Sequence, residues 1–187
     1  HPLDSLKLRN PGKMTDSNQI RIRPEREGNT QAIDLVISVA FANAEHSDHN
    51  EHHIVRGLRK ANCLSISLVA EDEATHAIVG HVAVSPVNIS DGSEDWCGLG
   101  PIAVLPQYQG RGVGSLLMER ALANLQARHS AGCVVLGNPK YYMRFGFRPD
   151  PSLRLQGVPP EYFMALTWRK PTPTGTVSYH HAFELFA

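Results

Sequence analysis

The spacing of hydrophobic and polar residues in the first half of the chain predicts one strand, two helices and a hairpin. Residues 19–23 alternate between polar and apolar side chains, as a half-buried strand does. Apolar residues then recur at helical spacing over 29–43 and again over 51–60. The period changes to two over 63–71 and 76–85, and the acidic residues between these segments predict the turn of a hairpin.

The second half begins with an apolar run at 96–105, which Gly100 and Pro101 interrupt. Because proline has no N–H to donate to a strand ladder, we expect a bulge or lost pairing at that point. A long helix is predicted next, since apolar residues return at helical spacing. Its apolar stripe consists of Val113, Leu116, Leu117, Ala121 and Leu125.

The rest of the chain predicts three further elements, and the order of all the elements indicates the fold class. We expect a short buried strand at 133–136, a brief helix at 139–145 and a strand at 161–168. The turn-rich residues that follow predict a tail that packs back onto the domain. A strand, two helices, a meander of strands and a strand–helix–strand unit together indicate an α+β or mixed α/β fold.

The length of 187 residues fits one domain of ordinary size. We expect this domain to span residues 19–187, with the tail included. The chain starts at His1, and residues 1–13 precede its first methionine, Met14. We therefore interpret residues 1–18 as a leader, either processed or vector-derived, that lies outside the fold.

Composition and charge exclude several classes of protein. Hydrophobic residues make up 42% of the chain and charged residues 19%, which is compatible with a packed core. Eighteen basic residues balance eighteen acidic ones, so general nucleic-acid binding, which needs excess positive charge, is not expected. No apolar run is long enough to predict a membrane-spanning helix. The three cysteines are widely spaced and include no CxxC pair, which indicates reduced thiols in a cytoplasmic protein.

The most informative segment is the glycine-rich turn that precedes the predicted long helix. Gly110, Gly112 and Gly114 leave no Cβ where the backbone must approach a ligand closely. The first N–H groups of the helix have no partner within it, and with the helix dipole they favour a phosphate or pyrophosphate. The turn lacks the lysine of a Walker loop, and Ser115 stands where a dinucleotide-binding fingerprint has its third glycine. A glycine-rich turn without a ligand is the alternative interpretation.

The same turn carries a family signature. The pattern Gln109-x-x-Gly112-x-Gly114 resembles the Q/R-x-x-G-x-G/A motif of GNAT acetyltransferases, which transfer acetyl from acetyl-CoA to amines. Residues 99–106 resemble the bulged fourth strand of that family, and 141–147 resemble its Y-x-x-x-G-F segment. The resemblance implies a twisted, mostly antiparallel central sheet of about six to seven strands, with helices on both faces. It also implies a splayed parallel strand pair at the cofactor cleft.

The resemblance further implies an N-acetyltransferase in which a primary amine attacks acetyl-CoA directly in a ternary complex. Backbone N–H groups of the turn would hold the CoA pyrophosphate, and strand residues 102–104 would pair with pantetheine. A backbone N–H near Ile102 or Ala103 would polarise the acetyl carbonyl. Tyr142 would be the general acid that protonates the departing thiolate. The residues expected to bind the cofactor are Ile102, Ala103, Val104, Gln109, Gly110, Arg111, Gly112, Val113, Gly114 and Ser115.

Several parts of this hypothesis stay open at the level of the sequence. The acceptor amine is not identified, and the resemblance is compatible with a homodimer. Glu94, Asp95 and His81 are candidates for the general base, and so is a water chain to solvent. Tyr141 is expected to be structural or to face the cofactor. A non-catalytic acetyl-CoA-binding sensor or interaction module on the same fold is the alternative function.

A cluster of histidines before and within the second predicted helix resembles a metal site only in part. His49 and His53 are four residues apart, which would place both on one helix face. Asn50 occupies the position where an HExxH motif needs glutamate, so no metal is expected. The surrounding segment, 45–95, contains nine acidic residues and three basic ones. We therefore hypothesise that its acidic side chains attract a cationic amine.

Overall fold

The structure is a computed structural model that describes residues 19–44 and 47–184. The expected leader 1–18 lies outside these ranges, as do Glu45, His46 and the last three residues of the expected tail. The described strands are β1 (Ile20–Pro24), β2 (Ile66–Asp72), β3 (Ile78–Ile89), β4 (Trp96–Val104), β5 (Gly132–Leu136), β6 (Arg148–Pro149), β7 (Leu153–Arg154), β8 (Phe163–Thr167) and β9 (Gly175–Tyr179). The described α-helices are α1 (Thr30–Phe41), α2 (Glu51–Lys60), α3 (Val113–Ala127) and α4 (Pro139–Tyr142).

The strands form a mixed sheet in the order β1-β2-β3-β4-β5-β8-β6, and β9 joins it by pairing with the end of β3. Among the described strands, β4–β5 and β7–β9 are parallel and the other pairs are antiparallel. The predicted mixed α/β fold with a mostly antiparallel sheet is therefore confirmed.

The described part of the sheet has nine strands rather than six or seven. β6 and β7 have two residues each, which is too short for an alternating pattern to reveal. β9 lies in the tail, where prolines and a glycine predict turns, and it pairs with the end of β3.

Helices cover both faces of the sheet because successive strand residues point to opposite sides. On β2 and β3, Leu68 and Val82 pack with α3, whereas Val69 and Ala83 pack with α1 and α2. We call the second side the α1–α2 face. This face continues past the two helices, where Val87, at the far end of β3, packs under the segment from β7 to β9. Two apolar clusters thus lie side by side on the α1–α2 face.

β4 and β5 pair at one end only, and then they separate. The paired residues are Trp96, Cys97 and Gly98 on β4 with Gly132, Cys133 and Val134 on β5. Beyond this point β4 stays with β3 as far as Val104, and β5 stays with β8 as far as Leu136. The result is the predicted splayed parallel pair, with a cleft between the diverging strands.

A bulge lies where β4 leaves β5. Val82 and Val84 of β3 register with Ile102 and Leu99 of β4, so β4 has one more residue than β3 in this interval. The additional residue falls at the Gly100-Pro101 pair, where the proline predicted an interruption of the ladder. Gly100 has a φ of 137°, a conformation that favours glycine.

Candidate active site

The backbone of β4 presents a free edge to the cleft. The N–H of Leu105 donates to the carbonyl of Val79 at 2.9 Å, and Ala103 registers with His81. Because backbone groups alternate along a strand, the N–H and C=O of Ala103 point toward β3, and those of Ile102 and Val104 point into the cleft.

Two of the three strand residues expected to bind the cofactor therefore face the cleft with their backbone groups. The side chain of Ala103, by contrast, is buried in the cluster beneath α1 and α2. The carbonyl of Val104 accepts a hydrogen bond from the side-chain amide of Gln109 at 2.9 Å. This bond ties the glycine turn to the free edge of the strand.

The glycine turn is shaped by backbone conformations that favour glycine. Gly110 has a φ of 76° and Gly112 a φ of 82°, both in the left-handed region. Gly112 immediately precedes α3, and the N–H of Leu116 is the first to bond back to its carbonyl, at 3.1 Å. The N–H groups of residues 113–115 consequently have no partner within the helix and point out of its end.

Most of the residues expected to bind the cofactor line one pocket of about 360 Å³ at the start of α3. Of the ten, seven line it: Val104, Gln109, Gly110, Gly112, Val113, Gly114 and Ser115. Ile102 and Ala103 lie further along the strand. Arg111 also lies outside the lining, and its guanidinium is placed over the ring of Tyr108, 5.3 Å from the centroid.

The pocket also contains Arg144 and Tyr108, which were not predicted, and Tyr141, which was expected to be structural or to face the cofactor. Arg144 donates to the hydroxyl of Ser115 at 3.3 Å, and its guanidinium lies 5.5 Å from the ring centroid of Tyr141. This places a fixed positive charge beside the free N–H groups of α3. The sequence feature that could have identified Arg144 is its position inside the Y-x-x-x-G-F segment.

Tyr108 anchors the glycine turn to the sheet. Its hydroxyl donates to the Asp72 carboxylate, Oη to Oδ2, at 2.6 Å. This hydrogen bond lowers the pKa of Asp72 and raises the pKa of Tyr108. The bond therefore joins the turn to the end of β2.

Tyr141 explains why the chain has glycine at position 114. A Cβ placed on Gly114 would lie 2.7 Å from the hydroxyl oxygen of Tyr141, a distance that side-chain carbons do not tolerate. The phenol thus packs directly on the first turn of α3. Burial raises the pKa of Tyr141, so its hydroxyl is neutral at physiological pH.

Tyr142 lies beneath the end of β5, next to the cleft. A Cβ on Gly137 would lie 2.5 Å from its ring carbon Cε2. The ring meets Tyr141 and Phe147 edge-on, with centroids 5.0 and 6.2 Å away. Burial, helped by the neighbouring Tyr141, raises the pKa of Tyr142 to about 12. The phenol therefore keeps its proton and can donate it.

A second phenol, that of the half-buried Tyr179 on β9, lies near Tyr142. Its ring packs on β4 where the strands begin to separate, since a Cβ on Gly98 would lie 2.5 Å from its Cε1 atom. Burial raises the pKa of Tyr179, and Cys133 and Tyr142 raise it further. The turn-rich tail contained no sequence signal for this placement.

The three candidate general bases occupy different parts of the molecule. Glu94 and Asp95 are exposed at the start of β4, and Asp95 pairs with Arg169 at 2.9 Å. Ile102 is seven residues further along, or about 20 Å at the rise of a strand. His81, by contrast, is completely buried beside β4, and burial lowers its pKa to about 4. Of the three, only His81 lies next to the splayed part of β4.

A larger pocket, of about 810 Å³, lies elsewhere, along the segment from β6 to β8. It shares no residue with the pocket at the start of α3, and its walls are mostly apolar side chains. The free N–H groups at the start of α3 line the smaller pocket, and such groups favour an anion.

Within residues 19–44 and 47–184, no group of three or more histidine, cysteine, aspartate or glutamate residues is arranged to hold a metal ion. No helix within them is long and apolar enough to cross a membrane.

Comparison with known proteins agrees with this geometry. A family model described as an acetyltransferase (GNAT) domain matches residues 64–149. The chain is 37% identical over 126 residues to the uncharacterized N-acetyltransferase YhbS of Escherichia coli (strain K12). That alignment covers 67% of this chain and 72% of the relative.

Two solved structures are similar over most of their length. A GNAT family acetyltransferase from Brucella melitensis, in complex with acetyl-CoA, has 40% identity and a TM-score of 0.78, covering 88% of this chain and 97% of that one. YhbS from Escherichia coli, in complex with CoA, has 30% identity and a TM-score of 0.81, covering 89% and 92%. The chain therefore belongs to the GNAT family of N-acetyltransferases.

Proposed function

We propose that this acyltransferase moves the acetyl group of acetyl-CoA to a primary amine by direct attack in a ternary complex. The observation that carries the proposal is the continuous path from the free edge of β4, through the cleft, to the N-terminus of α3. One end of this path offers backbone groups to an amide chain, and the other offers N–H groups to a pyrophosphate. The complexes of the two similar structures with acetyl-CoA and CoA support the assignment.

The pyrophosphate would bind the N–H groups of the turn and of the first turn of α3. These groups are already oriented by the left-handed conformations of Gly110 and Gly112, so binding would require little ordering of the loop. Arg144 is the better candidate than Arg111 for a charge-assisted contact, because it already reaches Ser115 inside the pocket.

The pantetheine amides would pair with the cleft-facing backbone of Ile102 and Val104. The register supports residues 102 and 104 for this role, because the backbone groups of Ala103 point toward β3 instead. The same direction makes the N–H of Ile102 the expected hydrogen-bond donor to the acetyl carbonyl as negative charge develops on its oxygen.

In the reaction, the amine nitrogen attacks the thioester carbon, the C–S bond breaks, and its electron pair stays on sulfur. Tyr142 would donate its phenolic proton to that thiolate. Its raised pKa keeps the proton in place until the leaving group forms. The attacking amine must lose one proton before the attack, since an amine of the lysine type has a pKa of roughly 10.4 and is charged at neutral pH. The nitrogen loses a second proton from the tetrahedral intermediate, and that proton would restore the phenol of Tyr142.

A thiol-release assay tests the proposal. The protein would be mixed with acetyl-CoA and a panel of small amines, amino acids, peptides with free N-termini and lysine peptides. We expect CoA release that depends on one class of amine. Acetyl-CoA that binds but is not consumed with any amine would instead support the alternative, a sensor.

Binding is measured separately by thermal unfolding. Acetyl-CoA at 100 times its Kd would stabilise the fold by about 2.7 kcal/mol. Stabilisation by NAD or ATP without an effect of CoA would contradict the assignment of the pocket.

A further inference from the structure

The phenol of Tyr179, the last residue of β9, lies where the cleft between β4 and β5 opens. The reaction described above uses Tyr142 and gives Tyr179 no part. Resting on the proposed function, we propose that the hydroxyl oxygen of Tyr179 accepts a hydrogen bond from the attacking amine and so directs the nitrogen lone pair toward the thioester. The amine approaches from the α1–α2 face of the sheet.

The ring of Tyr179 lies on the backbone of β4 at the opening of the cleft. Gly98 of β4 registers with Val134 of β5, and this is the last paired position before the two strands separate. A Cβ on Gly98 would lie 2.5 Å from Cε1 and 3.1 Å from Cδ1 of Tyr179. Because Cε1 is bonded to the carbon that carries the hydroxyl, the hydroxyl half of the ring is the half nearer to Gly98. Only a glycine leaves room for the ring at this position.

Tyr142 and Tyr179 reach the cleft from opposite faces of the sheet. Tyr142 packs with the apolar cluster beneath α3, whereas Tyr179 packs with the cluster beneath the segment from β7 to β9. The two phenols are nevertheless close enough for Tyr142 to raise the pKa of Tyr179. A thioester held in the cleft therefore has one phenol on each side.

The hydroxyl of Tyr179 is available to a ligand. Tyr179 is half-buried, and its hydroxyl makes no hydrogen bond to the residues that the structure describes. The ring itself is held on two sides, by the backbone at Gly98 and by the ring of Phe183, whose centroid is 5.1 Å away. A fixed ring with an unpaired hydroxyl is suited to bind a polar group without further ordering.

A second unpaired hydroxyl lies at the same point. Ser85 is fully buried, and its hydroxyl has no partner among the described residues. It follows Ala83 by two positions on β3 and so shares the α1–α2 face, and it registers with Gly98. Opposed residues of an antiparallel pair have Cβ positions about 5 Å apart, which places the Ser85 side chain beside the ring of Tyr179. Because an unpaired hydroxyl costs free energy, two of them together indicate a place for a hydrogen-bonding group.

The other groups of the reaction leave the amine as the partner of Tyr179. The acetyl carbonyl is assigned to the N–H of Ile102, and the departing sulfur to Tyr142. The neutral primary amine has two N–H groups, and either can donate to a phenol oxygen. The pocket for the pyrophosphate lies at the start of α3, so the α1–α2 face is the side on which the amine reaches the thioester without displacing the cofactor.

Tyr179 binds the amine and does not exchange a proton with it. Burial raises the pKa of Tyr179, so the phenol stays neutral and cannot serve as the general base. Its hydrogen bond holds the nitrogen while the new C–N bond forms. The proton that the nitrogen loses from the tetrahedral intermediate goes to Tyr142, as described above.

The test is Tyr179→Phe, which keeps the ring on Gly98 and removes only the hydroxyl. The probe is the amine of the panel that gives the highest rate of CoA release. We expect kcat/KM for this amine to fall about tenfold or more, as the loss of one hydrogen bond to the reacting nitrogen predicts. The Kd for acetyl-CoA and the melting temperature should not change. Tyr162→Phe is the matched control, because it removes the hydroxyl of a tyrosine that is 44% exposed outside both apolar clusters, and it should keep the wild-type kinetics.

The outcomes separate this role of Tyr179 from the proposed function. A folded Tyr179→Phe protein with the wild-type kcat/KM for the amine would overturn the role and leave the acetyltransferase assignment intact. A weaker affinity for acetyl-CoA together with a lower melting temperature would show a structural effect and also overturn it. A wild-type protein that binds acetyl-CoA and acetylates no amine of the panel would overturn the proposed function, and the role of Tyr179 with it.

Discussion

Replacing Gly114 by alanine should weaken cofactor binding through Tyr141. The added Cβ would lie 2.7 Å from the Tyr141 hydroxyl oxygen, so the phenol or the first turn of α3 must shift. The next nearest atom of Tyr141 is Cζ at 3.8 Å, an ordinary contact distance, so the conflict involves one oxygen. Tyr141→Phe removes that oxygen and should make room for the methyl group.

The magnitude follows from this geometry and is measured as a double-mutant cycle. In the helix, alanine is favoured over glycine by up to about 1 kcal/mol, so Gly114→Ala should leave stability nearly unchanged as the conflict offsets this gain. A shift of the N–H groups should raise KM for acetyl-CoA about tenfold, equal to about 1.4 kcal/mol of lost binding. In the Tyr141→Phe background the same change should cost less than about 0.5 kcal/mol. The difference between the costs in the two backgrounds is the coupling energy, and its size is typical of residues in contact.

The assay is thiol release with varied acetyl-CoA, together with the shift in melting temperature on adding CoA. Tyr141→Phe alone is the control, since it shows the effect of the lost hydroxyl itself. If Gly114→Ala raises KM equally in both backgrounds, the methyl group obstructs the ligand directly and the argument from Tyr141 is refuted.

Three further predictions follow from the pocket. Tyr142→Phe should lower kcat by roughly 10²–10⁴-fold with folding intact, and unchanged turnover would remove this residue from the mechanism. Arg144→Ala should raise KM for acetyl-CoA more than Arg111→Ala does, because Arg144 lines the pocket and Arg111 stacks on Tyr108; the reverse order in steady-state kinetics would contradict this geometry. Tyr108→Phe should destabilise the fold by about 1.5–3 kcal/mol at neutral pH, the usual worth of a hydrogen bond to a charged group. That bond lowers the pKa of Asp72. The difference in unfolding free energy between the two proteins, measured with denaturant, should therefore be complete above the ordinary aspartate pKa. It should disappear as the pH falls through the lowered pKa of Asp72.

Elements with long periodic patterns were predictable from the sequence. α3 and the strands around it follow patterns of 3.6 and two residues, and the proline at position 101 marked the bulge correctly. β9 was not predictable as a strand, because its pairing with the end of β3 depends on a segment more than 80 residues earlier. Local propensity contains no information about such a partner.

Some features of the candidate site were likewise predictable from the sequence, and others were not. The glycine turn was recognisable because its conformation and its free N–H groups follow from residues adjacent in the chain. Which arginine faces the pocket was not recognisable from the sequence, since Arg111 and Arg144 have the same chemistry. In the fold, one guanidinium lies over the ring of Tyr108 and the other over the ring of Tyr141. The role of Tyr142 stays a prediction that its position and raised pKa support.

By itself, the sequence determined the class of the protein and predicted an anion site at the glycine turn, because both depend on short-range backbone chemistry. Tertiary structure decided which backbone groups of β4 are free, since the direction of each N–H depends on the register with β3. It also decided that the ring of Tyr179 packs on Gly98, a residue far earlier in the chain, where β4 and β5 separate. Cross-strand neighbours are set by pairing between distant segments, and no local pattern in the chain specifies which side chains will meet.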